Sequence, residues 1–211
     1  MSNVSAIKLY HHNSKTLKSA ELIEGLSRRD VVMAEVSWQP YVDEKIKRLE
    51  KDGLSREAWP EHLHWNWGRK RKKTEYKLAY QWFGIKCDSK WQGLMVVETG
   101  LHFSRMAGQE GKHLVYIDYL ATAPWNLQEF AGDPEYALVG TIFVKTAIEL
   151  SKELEFKGRI GLHSLPQSEL FYRHYCNMTD FGPDKDYPEG KLRYFELTPE
   201  QAEVFISEDV K

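Results

Sequence analysis

The segment that most narrows the choice of fold runs from Leu114 to Leu165. Leu114-Val115-Tyr116-Ile117-Asp118-Tyr119-Leu120 is a nearly continuous apolar run with one carboxylate, the pattern of a strand buried on both faces. Pro124 ends it, because proline brings no N–H to a ladder and fixes its own φ. From Val139 the apolar period becomes that of a helix: Val139, Ile142, Phe143, Thr146, Ala147, Leu150 and Leu154 share one face. Lys145, Glu149, Lys152 and Glu153 lie opposite, with Lys145 and Glu149 spaced for an i,i+4 pair. Gly158 closes the helix, and Arg159 to Leu165 alternates as a second strand. Strand, helix and strand in that order predict a βαβ unit with parallel strands and a right-handed crossover.

Gly140 and Thr141 stand at the entrance of that helix and leave its first N–H groups uncovered. The helix dipole adds partial positive charge there, which suits a phosphate, although most helix starts bind nothing.

With 211 residues and 42% hydrophobic content the chain can build one ordinary core, and we expect a single domain over 1–211. A formal net charge of -2 provides no field for nucleic acid or an anionic membrane, so neither is expected as a partner. Cys87 and Cys176 form no disulfide framework and no metal-ligand spacing, which points to a reducing cytoplasm and to no metal. Lys8, His11, His12 and Lys15 occur without an apolar stretch, unlike a signal peptide.

Before the central unit, Ser2 to Tyr10 reads as a strand, Lys15 to Arg28 as a weakly amphipathic helix, and Asp30 to Trp38 as a strand. Pro40 suits a first helical turn, with Val42, Ile46 and Leu49 down one face to Gly53. Ser55 then caps a short helix stapled by Trp59 and Leu63. His62 to Lys73 interleaves tryptophans with Arg69, Lys70, Arg71, Lys72 and Lys73. It reads as a solvated charge run beside inward tryptophans, in preference to a nucleic-acid patch. His62 and His64 lack a third ligand nearby for zinc. Strands follow at Leu78 to Cys87, Leu94 to Glu98 and Leu101 to Met106, an antiparallel meander leading into the Leu114 strand. After Leu165, Pro166 opens a helix carrying Leu170, Phe171, Tyr172 and Tyr175, and Leu192 to Leu197 is a last strand. Thr198-Pro199-Glu200-Gln201 is a capping box that starts a terminal helix.

A meander feeding a parallel βαβ unit, in an α+β mixed sheet with flanking helices, resembles the GNAT superfamily of acyltransferases. Leu120-Ala121-Thr122-Ala123-Pro124 is similar to that family's strand end, and Leu138-Val139-Gly140-Thr141 to its pyrophosphate loop and helix start. Phe171-Tyr172-Arg173 falls on its helix motif, with Met178-Thr179-Asp180 entering the next strand. Tyr116 to Leu120, Ala123 to Asn126 and Gly161 to Gln167 resemble a poorly characterised bacterial branch. The likeness covers about 65–211, with 1–64 divergent and assigned to the acceptor side.

The resemblance implies a cytoplasmic acetyl-CoA-dependent N-acetyltransferase acting on a small-molecule or peptide amine, with a homodimer left open. Its parallel strands would splay after Leu120. Backbone at Leu120, Ala121 and Thr122 would meet the pantetheine arm, and amides of Val139, Gly140 and Thr141 the pyrophosphate. Tyr172 would protonate the leaving thiolate and Asp118 draw a proton from the amine, through water, with Glu98 and His163 in reserve; the alternatives are a Tyr172 ring packed in the core, and an Asp118 carboxylate on the wet face of the strand or paired with an arginine. The loop departs from the family where Glu135 replaces a basic or amide residue, Leu138 a glycine and, after Cys176, Asn177 another glycine; Ala137 lacks the usual charge. These departures leave a second reading, a GNAT-fold CoA-binding or regulatory module without turnover.

Overall fold

The computed structural model describes residues 3–56, 59–187 and 192–207. In chain order the elements are β1 (Asn3–His11), β2 (Thr16–Glu24), α1 (Arg28–Lys51), α2 (Trp67–Thr74), β3 (Tyr80–Cys87), β4 (Lys90–Glu98), β5 (Val115–Thr122), α3 (Gln128–Ala131), β6 (Tyr136–Ala137), α4 (Val139–Glu153), β7 (Ile160–Ser164), β8 (Thr179–Pro183), β9 (Arg193–Leu197) and α5 (Pro199–Ser207). Hydrogen bonds order the strands β6-β1-β2-β3-β4-β5-β7-β9-β8. The sheet is mixed: β5 and β7 run parallel, while β1–β2, β2–β3, β7–β9 and β8–β9 are antiparallel. The chain divides into two compact units, one of Met1–Leu78, Trp82–Leu94 and Ala121–Gly140, the other of Ala79–Gln81, Met95–Leu120 and Thr141–Lys211.

In the first unit β1 and β2 form a hairpin with Asn3 opposite Glu24 and His11 opposite Thr16. The helix expected over Lys15 to Arg28 is therefore β2, where Ala20 and Leu22 are buried two residues apart, a strand's period. The strand expected at Asp30 to Trp38 and the helix expected from Pro40 are together one helix, α1. Ser27 and Asp30 cap it reciprocally, with Ser27 N–H donating to Asp30 at 3.0 Å and Asp30 N–H to Ser27 Oγ at 3.2 Å. Val31, Ala34 and Trp38 are buried at helical spacing, so tertiary burial outweighs the β-branched run. Pro40 sits inside the helix and costs it one backbone hydrogen bond.

Glu35 of α1 accepts the Trp67 and Gly68 N–H groups at 2.7 and 3.1 Å and so caps α2 with a carboxylate. A Cβ at Gly68 would stand 3.1 Å from that carboxylate. Trp67 packs edge-on to Trp38 and Trp82, with centroids 6.1 and 6.2 Å apart. Arg69, Lys72 and Lys73 are exposed, so the basic stretch is a solvated face over inward tryptophans. Ser2 and part of the short helix expected after Ser55 lie outside the described residues.

In the second unit Val115, Ile117, Ile160, Leu162, Phe195 and Leu197 are buried, as are Phe143, Val144, Ala147 and Ile148 of α4. Lys145 reaches α5, donating to the Ile206 carbonyl at 3.3 Å, and Lys152 pairs with Glu203 at 2.5 Å. The capping box at α5 forms as expected: Thr198 N–H donates to Gln201 Oε1 at 2.9 Å, and Gln201 N–H to Thr198 Oγ1 at 3.2 Å. Leu101 to Met106 is not a strand; its ladder is a single bridge, Phe103 to His113. Carboxylates hold this segment instead. Glu98 accepts the Gly100 and Leu101 N–H groups at 2.7 and 2.9 Å, and Glu196 accepts Ser104 Oγ and Arg105 N–H, both at 2.7 Å. The helix expected after Pro166 is a 3-10 turn, Pro166–Ser168, followed by a π-helical turn, Phe171–Tyr175. Among the described residues no helix is long and apolar enough to cross a membrane.

Candidate active site

The parallel ladder between β5 and β7 pairs Val115 with Ile160, Tyr116 with Gly161 and Ile117 with Leu162, and then stops. β5 continues to Thr122, and β7 keeps its pairing with β9 through Ser164 and Arg193. Continuing the register would set Asp118 against His163, so the divergence begins at Asp118, earlier than the expected point after Leu120. Beyond Ile117 and Leu162 the two strands no longer pair with each other, while β7 stays on β9.

The loop after β5 is built from the motif residues. Trp125 Nε1 and Asn126 Nδ2 both donate to Gln92 Oε1, at 2.8 and 3.0 Å, and Asn126 Oδ1 accepts the Tyr136 N–H at 2.9 Å. Tyr136 and Ala137 pair with His11 and Tyr10 as β6, and the Glu135 carbonyl accepts the His12 N–H at 3.1 Å. Glu135 thus belongs to a segment zipped onto β1, a geometry with its own internal reason for departing from the family's loop.

At both positions where the resemblance expects glycine, the backbone still takes positive φ: +80° at Leu138 and +51° at Asn177. Asparagine tolerates that region, whereas leucine is strained in it. Of the residues assigned to the cofactor, Leu120 and Thr141 fall in the second unit and Ala121, Thr122, Val139 and Gly140 in the first. Leu120, Ala121, Thr122 and Gly140 are half-buried, while Val139 and Thr141 are buried. Thr122 Oγ1 is buried without a hydrogen-bond partner, and the first turn of α4 carries no acidic residue.

Tyr172 is buried in the π-helical turn with its ring 6.1 Å from that of Phe195 and 5.1 Å from that of Phe171. Burial, and then the Cys176 thiol, push its phenol well above the ordinary value, so it keeps its proton. Burial also pushes Cys176 up to about 12. Asp118 is half-buried on β5, two residues along from Tyr116 and on the same face. Tyr116 clusters with Leu114 and Tyr194, and Tyr194 precedes Phe195 on β9. The rings of Tyr172 and Tyr116 therefore pack on opposite faces of the sheet. Glu98, held in reserve, is fully buried with both its oxygens accepting backbone N–H groups.

His163 is the centre of the densest polar cluster. Its Nε2 donates to Asp184 Oδ2 at 2.8 Å, and its Nδ1 lies 2.8 Å from the Tyr116 hydroxyl, which lies 2.9 Å from that of Tyr187. Arg105 Nη1 also donates to Asp184 Oδ2, at 2.6 Å, and its guanidinium lies over the Tyr194 ring. His102 stacks on Tyr116 with centroids 3.7 Å apart. Burial pushes His163 below its ordinary value and outweighs the pull of Asp184; Arg105 and His102 act in the same direction as burial. Burial would raise Asp184, but hydrogen bonds from His163, the Asp186 backbone and Arg105 hold it well below the carboxylate range. The motif segments around Tyr116 and His163 are thereby brought together. Asp184, Tyr187 and Arg105 carried no signal, because the loop of Asp184 and Tyr187 and the segment of Arg105 lie far in sequence from His163.

Across nearly its whole length the chain is similar to an uncharacterised protein from Bacillus halodurans, with a TM-score of 0.55, 10% identity, and 96% of this chain and 95% of that chain covered. The likeness is one of fold, a mixed sheet with flanking helices. Looser similarities include a predicted acetyltransferase with acetyl-CoA from Clostridium acetobutylicum (TM-score 0.45, 11% identity, 90% and 95% covered). Another is the PaiA N-acetyltransferase from Thermoplasma acidophilum in complex with coenzyme A (TM-score 0.46, 15% identity, 84% and 97% covered). No protein-family model and no curated protein matches the chain in sequence.

Proposed function

We propose that the chain is an acyl-CoA-dependent N-acyltransferase that moves an acetyl group to a primary amine by direct attack. The observation that carries this reading is the end of the β5–β7 ladder at Ile117 and Leu162, where the two parallel strands part while β5 continues to Thr122. The residues present fit coenzyme A. The strand end from Leu120 to Thr122 offers peptide groups and an unpartnered buried Thr122 hydroxyl to the pantetheine amides. The α4 start offers the amides of Val139, Gly140 and Thr141 to the pyrophosphate, with no carboxylate in the first turn to repel it. When bound, acetyl-CoA supplies the acyl carbon and a thiol leaving group. Tyr172, held protonated by burial, donates to the sulfur as negative charge develops there. Asp118 sits where β5 leaves β7 and provides negative charge to attract an ammonium.

The test is calorimetric titration of CoA into wild type and Gly140→Asp, together with thiol release from acetyl-CoA over a panel of primary amines. The reading expects binding in wild type, weakened at least tenfold by the added bulk and charge in the variant, and thiol release with some amine. Unchanged affinity in Gly140→Asp would remove the pyrophosphate assignment. CoA held without thiol release would favour a binding or regulatory module, the reading that Glu135 and Leu138 support.

A further inference from the structure

We propose that Asp184, His163, Tyr116 and Tyr187 form an inward-directed proton relay whose outer hydroxyl, on Tyr187, takes the proton from the attacking amine. This rests on the acyl-transfer reading above and names the route by which that reaction loses its proton.

The direction follows from the chemistry of each group. Asp184 is a carboxylate and only accepts, so the proton on His163 is at Nε2, 2.8 Å from it. A neutral imidazole then has a lone pair at Nδ1, and the Tyr116 hydroxyl 2.8 Å away must donate to it. Having used its only proton, Tyr116 accepts from Tyr187 across 2.9 Å. Tyr187 thus points its proton inward and keeps its lone pairs for a group outside. Every O–H in the chain is aimed at His163, and a proton arriving at Tyr187 moves there by two short transfers.

Position supports the same reading. His163 and Asp184 side chains are 3% and 6% exposed, so the inner end is dry, whereas Tyr187 is half-buried. His163 is the first residue of β7 beyond its ladder with β5, so the relay stands at the mouth of the divergence. The groups facing His163 are Asp184, Arg105, His102, Tyr116, Tyr187 and Tyr194. Asp184 is the one carboxylate bonded to the imidazole, and it stabilises the imidazolium formed when the proton arrives. Burial keeps His163 neutral at rest, ready to accept, and Arg105 acts in the same direction.

The step balances. The amine nitrogen forms its bond to the acyl carbon and gives a proton to the Tyr187 oxygen. Tyr187 passes its own proton to Tyr116, and Tyr116 passes its proton to His163 Nδ1. The carbon–sulfur bond breaks, and the sulfur takes its electron pair and the Tyr172 proton. After the product leaves, the proton on His163 returns to solvent through Tyr116 and Tyr187, restoring the resting hydrogen bonds, and Tyr172 regains one, leaving amide and thiol.

The experiment has one arm independent of turnover. In the full chain labelled with 15N-histidine, His163 is expected as the neutral Nε2–H tautomer with an unprotonated Nδ1; an Nδ1–H tautomer reverses the chain and overturns the relay. With an amine that wild type acetylates, Tyr187→Phe is expected to lower kcat about 10²-fold, with the KM for acetyl-CoA unchanged. His163→Gln, which can still bond Asp184 and Tyr116, is expected to abolish the acidic limb of the kcat–pH profile. A purely structural role would lower the melting temperature but leave that limb in place, and this result, or an undiminished kcat in Tyr187→Phe, overturns the proposal. If wild type acetylates no amine, the acyl-transfer reading fails and the relay is overturned with it as a route for an amine proton, whatever the tautomer.

Discussion

Ile117 and Leu162 are the last residues paired between the two parallel strands, and the residues that would pair next, Asp118 and His163, are left apart. The pair that closes the ladder is fully apolar and buried, and the pair that opens it is ionisable. One step along the strands therefore separates core from site. The side chains that meet there come from β5, β7 and the loop after β8, whereas Tyr172 packs against Phe195 on the other face.

Removing only the hydroxyl of Tyr172 tests the donor role. Tyr172→Phe keeps the ring against Phe195 and Phe171, so the melting temperature and CoA affinity are expected to stay within error. A general acid typically contributes about 10²–10⁴-fold, and kcat for thiol release is expected to fall by that order. Equal turnover would leave Tyr172 as a packing residue.

Leu138 holds φ at +80°, a conformation that costs an L-residue about 1–2 kcal/mol. Leu138→Gly and Leu138→Ala delete nearly the same half-buried side chain, but only glycine relieves the backbone. Glycine is expected to be the more stable of the two by about 1 kcal/mol. Chemical denaturation of both variants measures the difference, and a more stable alanine variant would contradict it. Glycine should also bind CoA more tightly than alanine if the loop approaches the pyrophosphate.

Gly161 leaves room for the Tyr194 hydroxyl. A Cβ there would stand 2.8 Å from that oxygen and 3.2 Å from Leu114. Gly161→Ala is expected to destabilise by about 1–3 kcal/mol, the usual range for overpacking a core. Because Gly161 pairs with Tyr116, the variant should also shift the His163 imidazole signals in the NMR spectrum. A neutral effect on both would show that the cluster repacks freely.

His163 and His102 are both held below the ordinary histidine value of 6.5, in each case first by burial. The unfolded chain therefore binds these protons more readily than the folded one. Their contribution to stability is complete above pH 6.5 and is lost as pH falls through the lowered values. Asp184 adds a second loss only below 3.8, its ordinary value. Melting temperature should fall on acidification below neutrality, and less steeply in His163→Gln. A wild-type melting temperature that rises over that interval would mean that His163 gains a proton on folding.

The sequence by itself determined the elements whose signals are local. The run from Leu114 to Leu120, the period from Val139, Gly158 and the Thr198–Gln201 box each act within a few residues, and β5, α4, β7 and α5 stand where those signals put them. It also singled out Tyr172, Asp118 and His163 as candidates. Tertiary structure decided what local pattern left ambiguous. Thr16–Glu24, within the helix expected over Lys15 to Arg28, became a strand because β1 and β3 flank it, and Asp30 to Trp38 joined one helix because Trp38 buries its ring and bonds the Trp91 carbonyl. Strand propensity depends on neighbours brought from elsewhere in the chain, and short apolar runs satisfy either period. The same holds for the site. Asp184 lies 21 residues from His163 and Tyr116 lies 47 from it, so the hydrogen bonds that orient the imidazole exist only once β5, β7 and the loop after β8 are in place.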